Sequence, residues 1–202
     1  ALLAGDTPRL QRMIEEKLAA GVLPLELATG ELAGAMREVG DLYGRRKIFL
    51  PQLLTAADTA RPLFEGLHAR TDGVREYRGR VLLATVEGDV HDIGKRIVGT
   101  VLESAGFAVI DIGKDVPAST IVEAVRMHSP HIVGLSAMMT TTVGRVEEVR
   151  DALAAAGLSV RLIAGGASMN AELAARFGCD GYAPDASAVT ALCERLLAPD
   201  RN

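Results

Sequence analysis

The chain has 202 residues, of which 49% are hydrophobic and 3% aromatic, and it contains no Trp. This length allows one or two domains with sizeable cores built from aliphatic side chains. The net charge of -4 arises from interspersed signs, which argues against general nucleic-acid binding. No apolar run is long enough to cross a membrane, and no basic leader precedes an apolar segment. Because the two cysteines lack metal-type spacing, we expect a cytoplasmic protein.

Helical periodicity fills residues 1–72. A first pattern of apolar residues covers 10–18, a second covers 24–39 and stops at Gly40-Asp41, and a third covers 51–67. Short connections favour antiparallel neighbours, so these residues are predicted to form a helical bundle domain of three to four helices.

The period changes after a polar, glycine-containing stretch at 71–79, within which we place an interdomain linker at 73–79. The remaining residues, 80–202, alternate apolar strands with helical patterns. Strands are predicted at about 81–86, 108–112, 131–135, 160–164 and 181–183, and helices near 94–105, 118–128, 143–156, 170–177 and 186–197. This alternation is typical of a five-stranded parallel sheet of flavodoxin-like (Rossmann-like) α/β type with strand order 2-1-3-4-5.

The loop after the first predicted strand carries a D-x-H-x-x-G pattern at Asp89, His91 and Gly94. A carboxylate at this spacing fixes the tautomer of the imidazole and aims its other nitrogen at a metal. Glycine at the third position lets a bulky ligand approach the backbone. The alternative interpretation is a solvated turn between a strand and a helix.

Small and hydroxyl-bearing residues follow the third, fourth and fifth predicted strands. They are Ser136, Thr140, Thr142, Gly165, Gly166 and Ala186. Ligands of such sheets bind outside the carboxyl ends of the strands, so these loops are predicted to surround one crevice together with His91. Taken separately, the two glycines fit a tight turn and Ser136 fits a helix cap.

Together these loops resemble the D-x-H-x-x-G … S-x-L … G-G signature of cobalamin-binding domains. Such domains occur in cobalamin-dependent methionine synthase and in the corrinoid proteins of methyltransferase systems. Met138 replaces the Leu of the S-x-L element. Residues 40–52 are similar to the G-D-L-[FY]-G-x-x-K-x-F-L-P-Q segment of the helical cap in the same proteins, with Tyr43 where methionine synthase has Phe.

The resemblance implies a cobalamin or related corrinoid with His91 as the lower cobalt ligand in place of the cofactor's own base. Asp89 would orient His91, and Thr142 would extend the hydrogen-bond chain. Ser136 and Thr140 would bind the nucleotide tail, for which Gly165 and Gly166 would leave a slot closed by Ala186. The cap residues over the corrin would be Tyr43, Phe49, Leu50 and Leu53. The remaining predicted contacts are Gly88, Val90, Asp92, Ile93, Gly94, Met138 and Tyr182.

The implied function is methyl carriage, with the cofactor alternating between cob(I)alamin and methylcobalamin. The expected partners are a methyl-donor methyltransferase, a methyl-acceptor methyltransferase (for example a folate-dependent one) and a reductive activator, with no nucleic acid or membrane. The linker is the expected hinge for cap movement. Reduction to cobalt(I) is expected to free His91, so that the His91–Asp89 pair takes up a proton.

Three alternatives remain open. One is a cobalamin-binding sensor or regulatory module, which would join the same two domains to a signalling or DNA-binding domain. A second is a module excised from a methionine synthase, since the chain does not begin with Met. A third is the small subunit of a cobalamin-dependent mutase, although such a subunit needs no cap segment like Phe49-Leu50-Pro51.

Overall fold

The computed structural model describes residues 1–71 and 77–198. The chain divides into two compact units, the first made of Ala1–Arg78 with Thr100–Ala108 and the second of Gly79–Gly99 with Val109–Asn202. Residues 73–76 of the predicted linker lie outside the described residues. The assignment of 100–108 to the first unit is not foreseen by the predicted boundaries at 72 and 80.

The first unit is helical. After a 3-10 turn at Leu2–Ala4 come α1 (Thr7–Ala19), α2 (Pro24–Glu26), a π-helical segment (Leu27–Leu32), α3 (Ala33–Gly44) and α4 (Leu50–His68). Helix α1 is capped by Asp6, whose carboxylate accepts a hydrogen bond from the Arg9 backbone N–H at 3.1 Å. The predicted stop at Gly40 is wrong, because α3 continues to Gly44. An interior glycine costs a helix only about 1 kcal/mol relative to alanine, so it does not end a helix by itself.

Helix α4 provides the core of the first unit. It begins after Phe49, whose backbone N–H donates to the Gln52 side chain at 2.8 Å, and Pro51 occupies the first turn. Its apolar face is fully buried at Leu53, Ala56, Ala57 and Ala60.

The second unit carries a five-stranded sheet. Its strands are β1 (Arg80–Thr85), β2 (Ala108–Asp111), β3 (Ile132–Ser136), β4 (Arg161–Gly165) and β5 (Gly181–Tyr182). The helices that follow them are α5 (Ile93–Ser104), α6 (Ala118–His128), α7 (Gly144–Ala155), α8 (Ala171–Arg176) and α9 (Ala186–Leu197). The strand order is β2-β1-β3-β4-β5, which confirms the predicted flavodoxin-like fold.

The register of the sheet sets the position of the loops. Thr85 of β1 pairs with Ser136 of β3, and Ser136 pairs with Gly165 of β4, so three parallel strands end at the same level. The loops that leave these strands therefore begin side by side at the carboxyl edge of the sheet, where α/β proteins bind ligands. None of the helices among the described residues is both long and apolar enough to cross a membrane.

Candidate functional site

Asp89 is the most extensively hydrogen-bonded side chain at this edge of the sheet. It is 0% exposed. Its Oδ1 accepts from the backbone N–H of His91 at 3.0 Å and lies 2.8 Å from His91 Nδ1. Its Oδ2 accepts from the backbone N–H groups of Met138 and Met139 at 2.7 and 3.2 Å and from Thr142 Oγ1 at 3.0 Å. The loop after β3 therefore holds one carboxylate oxygen and His91 holds the other.

These donors keep Asp89 ionised. Burial works to raise the pKa of Asp89, but the backbone hydrogen bonds from His91 and Met138 and the side-chain hydrogen bonds from His91 and Thr142 lower it to about 2. An ionised carboxylate is only an acceptor, so the 2.8 Å contact requires the proton on Nδ1 of His91. In the neutral ring, the lone pair then lies on Nε2, the nitrogen that is left for a metal.

The backbone of His91 is also fixed. Its N–H donates to Asp89, and its carbonyl accepts from Thr85 Oγ1 at 3.2 Å. The side chain is 56% exposed. Three apolar side chains are exposed near this site in the sequence: Val90 beside His91, Ile93 at the start of α5, and Met139 in the loop after β3 whose N–H groups bond to Asp89. We call these three residues the apolar rim; large apolar groups exposed beside a polar group are typical of a binding surface.

The other predicted residues of the loops after β3 and β4 differ in burial. Thr142 is buried, Ser136 and Met138 are half-buried, and Thr140 is exposed. Met138 connects the two loops, because its carbonyl accepts from Ser168 Oγ at 2.8 Å and its sulfur accepts from the Ala167 N–H at 3.2 Å.

The structure explains Gly165 and Gly166 by a different reason from the predicted slot for the nucleotide tail. A Cβ on Gly166 would lie 2.1 Å from the Ala137 carbonyl oxygen, and the φ of Gly166 is +122°. A Cβ on Gly165 would lie 3.0 Å from the Ala183 oxygen. These glycines are thus required by the close approach of neighbouring backbone, so the slot for a tail stays a prediction. A side chain at position 166, as in Gly166→Leu, would have to displace this backbone and should therefore disturb the fold.

The remaining predicted residues lie in both units. In the second unit, Asp92 and Tyr182 are half-buried, Gly88 and Gly94 are exposed, and Ala186 is buried at the start of α9. In the first unit, Tyr43 and Leu50 are half-buried, and Phe49 is 76% exposed. Leu53 is 0% exposed, so it does not offer the ligand-facing surface that the sequence predicts for it.

Three residues of the loop region were not predicted from the sequence. Buried Lys95 pairs with Asp111 and donates to the Gly113 carbonyl at 2.8 Å. Asp115 bonds to the backbone of both Gly88 and Asp89. The only signal for these roles is a lysine directly after Gly94 and an aspartate near the end of the second strand, both of which are common on protein surfaces.

The arrangement fits a metal that brings most of its own ligands. The site offers one imidazole, oriented by a carboxylate that is itself fully hydrogen-bonded, which is how proteins hold a histidine ligand. The exposed side chains of the apolar rim suit a broad, largely apolar surface such as a macrocycle.

Two family profiles match the chain. Both are described as B12 binding domain; one covers residues 79–191 and the other covers residues 1–67. The chain belongs to the B12-binding family. This membership confirms the predicted cofactor as a cobalamin or related corrinoid.

Relatives from the same family match over most of their length. The dimethylamine corrinoid protein 1 of Methanosarcina acetivorans is 42% identical over 190 residues, which are 91% of this chain and 88% of the relative. The trimethylamine corrinoid protein of Methanosarcina barkeri is 36% identical over 201 residues, which are 95% of this chain and 91% of the relative. The predicted resemblance to corrinoid proteins of methyltransferase systems is therefore confirmed.

Solved structures agree with the fold. A cobalamin-binding protein from Desulfitobacterium hafniense superimposes with a TM-score of 0.83 at 31% identity, covering 98% of this chain and 96% of that one. A chain of the methanol:cobalamin methyltransferase complex from Methanosarcina barkeri gives a TM-score of 0.85 at 30% identity, covering 98% of this chain and 76% of that one.

Proposed function

We propose that the chain binds a corrinoid in its base-off form, with His91 as the lower cobalt ligand, and carries a methyl group between partner methyltransferases. The observation that supports the ligand assignment is the 2.8 Å contact between Asp89 and His91 Nδ1, which reserves Nε2 for a metal. When bound, the corrinoid supplies a cobalt centre that accepts a methyl group and releases it again.

The residues of the chain have separate tasks in this function. Asp89 holds the proton on Nδ1 and fixes the plane of the imidazole, while Thr142 and two backbone N–H groups hold Asp89. The apolar rim excludes water from the lower side of the macrocycle. Because Asp89 stays ionised, it also stabilises any positive charge that develops on His91 when the metal is released.

The nucleotide tail is assigned to the carboxyl edge of the sheet. Ser136 supplies a hydroxyl that is level with the ends of β1 and β4, and Thr140 supplies a second one in the same loop. Tyr182 and Ala186 flank the last loop of this edge. Hydroxyl groups donate and accept hydrogen bonds, so they suit a nucleotide with both kinds of polar atom.

The first unit is assigned to the upper face of the corrin. The exposed ring of Phe49 supports this assignment, since a large aromatic side chain in water gains from being covered by a ligand. Leu50, which follows Phe49 in the sequence, and Tyr43 are half-buried. Leu53 supports α4 from inside and does not contact the ligand in this proposal.

The partners are proposed from the relatives. Two relatives are named as dimethylamine and trimethylamine corrinoid proteins, and a third belongs to a methanol:cobalamin methyltransferase complex. By analogy, the donor partner of this chain is a methyltransferase for a small methylated amine or alcohol. A folate-dependent acceptor enzyme and a reductive activator complete the proposal.

The ligand assignment is tested with protein loaded with hydroxocobalamin, reduced to the cobalt(II) state and examined by electron paramagnetic resonance. We compare the wild type grown with ordinary histidine, the wild type grown with ¹⁵N-histidine, and His91→Ala. His128→Ala is the matched control, because His128 is an exposed histidine in α6.

In the wild type, the splitting of the cobalt(II) signal by the ligand nitrogen should change from a triplet to a doublet when histidine is labelled. His128→Ala should show the same splitting as the wild type. His91→Ala should still retain corrinoid but should show no splitting. A triplet that does not change when histidine is labelled would show that the cofactor keeps its own base, and it would overturn the assignment. The carrier role is tested with loaded protein that a chemical reductant has brought to the cobalt(I) state, by transfer of an isotopically labelled methyl group from methylamines or methanol in the presence of a donor methyltransferase. A loaded wild-type protein that takes up no label from any of these donors would argue against it.

A further inference from the structure

Asp115, in the loop between β2 and α6, has an unusual backbone conformation. Its φ is +54°, in the left-handed region that residues other than glycine rarely adopt. Aspartate tolerates this region better than most residues, but such conformations cost free energy and persist where the surrounding structure enforces them.

The surroundings of Asp115 do enforce it. On the C-terminal side, the Val116 N–H donates to the Thr85 carbonyl at 3.1 Å, and Val116 forms a parallel bridge with Val86. On the N-terminal side, the Gly113 carbonyl accepts from the Thr85 N–H at 3.0 Å and from Lys95 Nζ at 2.8 Å. The loop is therefore fastened to the end of β1 on both sides of Asp115.

In this conformation Asp115 forms hydrogen bonds with two residues of the loop that carries His91. Its Oδ1 accepts from the Gly88 N–H at 2.6 Å, and its own N–H donates to the Asp89 carbonyl at 3.0 Å. The Asp89 N–H donates to the Val86 carbonyl at 3.1 Å. Both backbone polar groups of Asp89 are thus satisfied, and one of the two partners is Asp115.

Two different loops therefore fix Asp89. The loop after β3 holds its carboxylate, and Asp115 holds its backbone. The imidazole of His91 takes its orientation from that carboxylate. A shift in the backbone of Asp89 would move the carboxylate relative to its donors and tilt the imidazole with it.

We propose that Asp115 is a positioning residue for His91, acting through its left-handed backbone and its carboxylate to set the direction of His91 Nε2. This inference rests on the proposed function, in which Nε2 binds cobalt. Asp115 itself contacts neither the metal nor the corrin in this role.

Three substitutions separate the backbone conformation from the hydrogen bond. Asp115→Asn keeps both a side chain that tolerates the left-handed region and the Oδ1 acceptor. Asp115→Gly keeps the conformation but loses the acceptor, and Asp115→Ala loses both. Ser129→Gly is the matched control, because Ser129 is another left-handed residue (φ +44°) of the second unit, at the end of α6.

The first readout is the ratio of His-ligated to unligated cobalt(II), measured from the nitrogen-split resonance signal with ¹⁵N-histidine labelling. Loss of one hydrogen bond in Asp115→Gly should lower this ratio about tenfold, while the urea midpoint of the protein without corrinoid stays close to the wild type. Asp115→Asn should restore the ratio to within about threefold of the wild type. Asp115→Ala should lower both the ratio and the urea midpoint, and Ser129→Gly should leave the ratio unchanged.

The second readout does not need the cofactor. Amide hydrogen exchange of His91 N–H, which is bonded to Asp89 Oδ1, should accelerate about tenfold in Asp115→Gly and stay near wild type in Asp115→Asn. If labelled histidine gives no splitting even in the wild type, the proposed function fails, whereas the exchange rates still decide whether Asp115 positions His91. A wild-type ratio together with wild-type exchange in Asp115→Gly would overturn the inference, and so would an Asp115→Asn variant as impaired as Asp115→Gly.

Discussion

The ionised carboxylate of Asp89 should make the stability of the second unit depend on acid. Its pKa is lowered from 3.8 to about 2, a difference that corresponds to about 2 kcal/mol of unfolding free energy. Because the pKa is lower in the folded state, this contribution is complete above about pH 4. It is lost progressively as the pH falls from about 4 to about 2.

Asp89→Asn tests this contribution because it removes the titrating group. The amide nitrogen of the new asparagine side chain is a donor, so it needs an acceptor. It finds one in the position of Oδ1, because His91 can change tautomer and accept a hydrogen bond at Nδ1. The part-buried N–H of His91 then loses its acceptor, which costs about 1 kcal/mol at neutral pH. The same tautomer places the proton on Nε2, so we also expect this variant to bind cobalt through His91 far less often.

Urea unfolding at a series of pH values measures the effect. The fluorescence of Tyr182 reports on the second unit if Tyr43→Phe and Tyr77→Phe are introduced into every protein compared. From neutral pH to about pH 2, the wild type should lose about 2 kcal/mol more than Asp89→Asn. Parallel stability curves for the two proteins would refute the reasoning.

Variants of Thr142 serve as a matched pair for the same experiment. Thr142→Val removes the hydroxyl that donates to Asp89 Oδ2 at 3.0 Å, so the pKa of Asp89 should be less depressed. The acid loss should still begin near pH 4, but it should be smaller and should end at a higher pH than in the wild type. Thr142→Ser keeps the hydroxyl and should follow the wild-type curve. The same change in both variants would contradict the assigned role of the hydrogen bond, because Thr142→Ser still has the hydroxyl.

Three further predictions concern other parts of the chain. Gly166→Ala should destabilise the protein by about 2 kcal/mol more than Gly157→Ala in urea unfolding. Both positions have a positive φ, but only at Gly166 would the new Cβ overlap neighbouring backbone, so equal losses would contradict this contact. Burial raises the pKa of half-buried Cys179 to about 11 and that of buried Cys193 to about 12. Both thiols should therefore react with Ellman's reagent at pH 8 much more slowly in the folded protein than in urea, and equally rapid labelling of the folded protein would contradict the raised pKa values. Phe49→Ala should change the unfolding free energy by less than about 1 kcal/mol yet weaken corrinoid retention, and unchanged retention would remove Phe49 from the proposed upper face.

The order of elements follows from sequence periodicity because burial on both faces of a parallel sheet demands continuous apolar strands. The spacing of Asp89 and His91 is equally local, so a contact between residues two apart could be anticipated, and it is present at 2.8 Å. The end of α3 could not be anticipated in the same way. Gly40 has the residue type of a helix stop, but the helix runs past it to Gly44.

Contacts between distant segments were beyond the reach of local patterns. Thr142 and the N–H groups of Met138 and Met139 meet Asp89 only because β1 and β3 are neighbours in register. The sequence could place these residues at one edge of the sheet, but it could not show which backbone groups donate. The same is true of Gly166, whose glycine is required by the Ala137 carbonyl of a neighbouring strand end.

The sequence by itself determined the division into a helical part and an alternating strand–helix part and the pairing of Asp89 with His91, because each depends on spacing within a few residues. Only the tertiary structure decided that Asp89 is held by five donors, that Asp115 holds its backbone and that Leu53 is buried. The physical reason is that hydrogen-bond partners and burial depend on which distant segments the packed sheet and helices bring together.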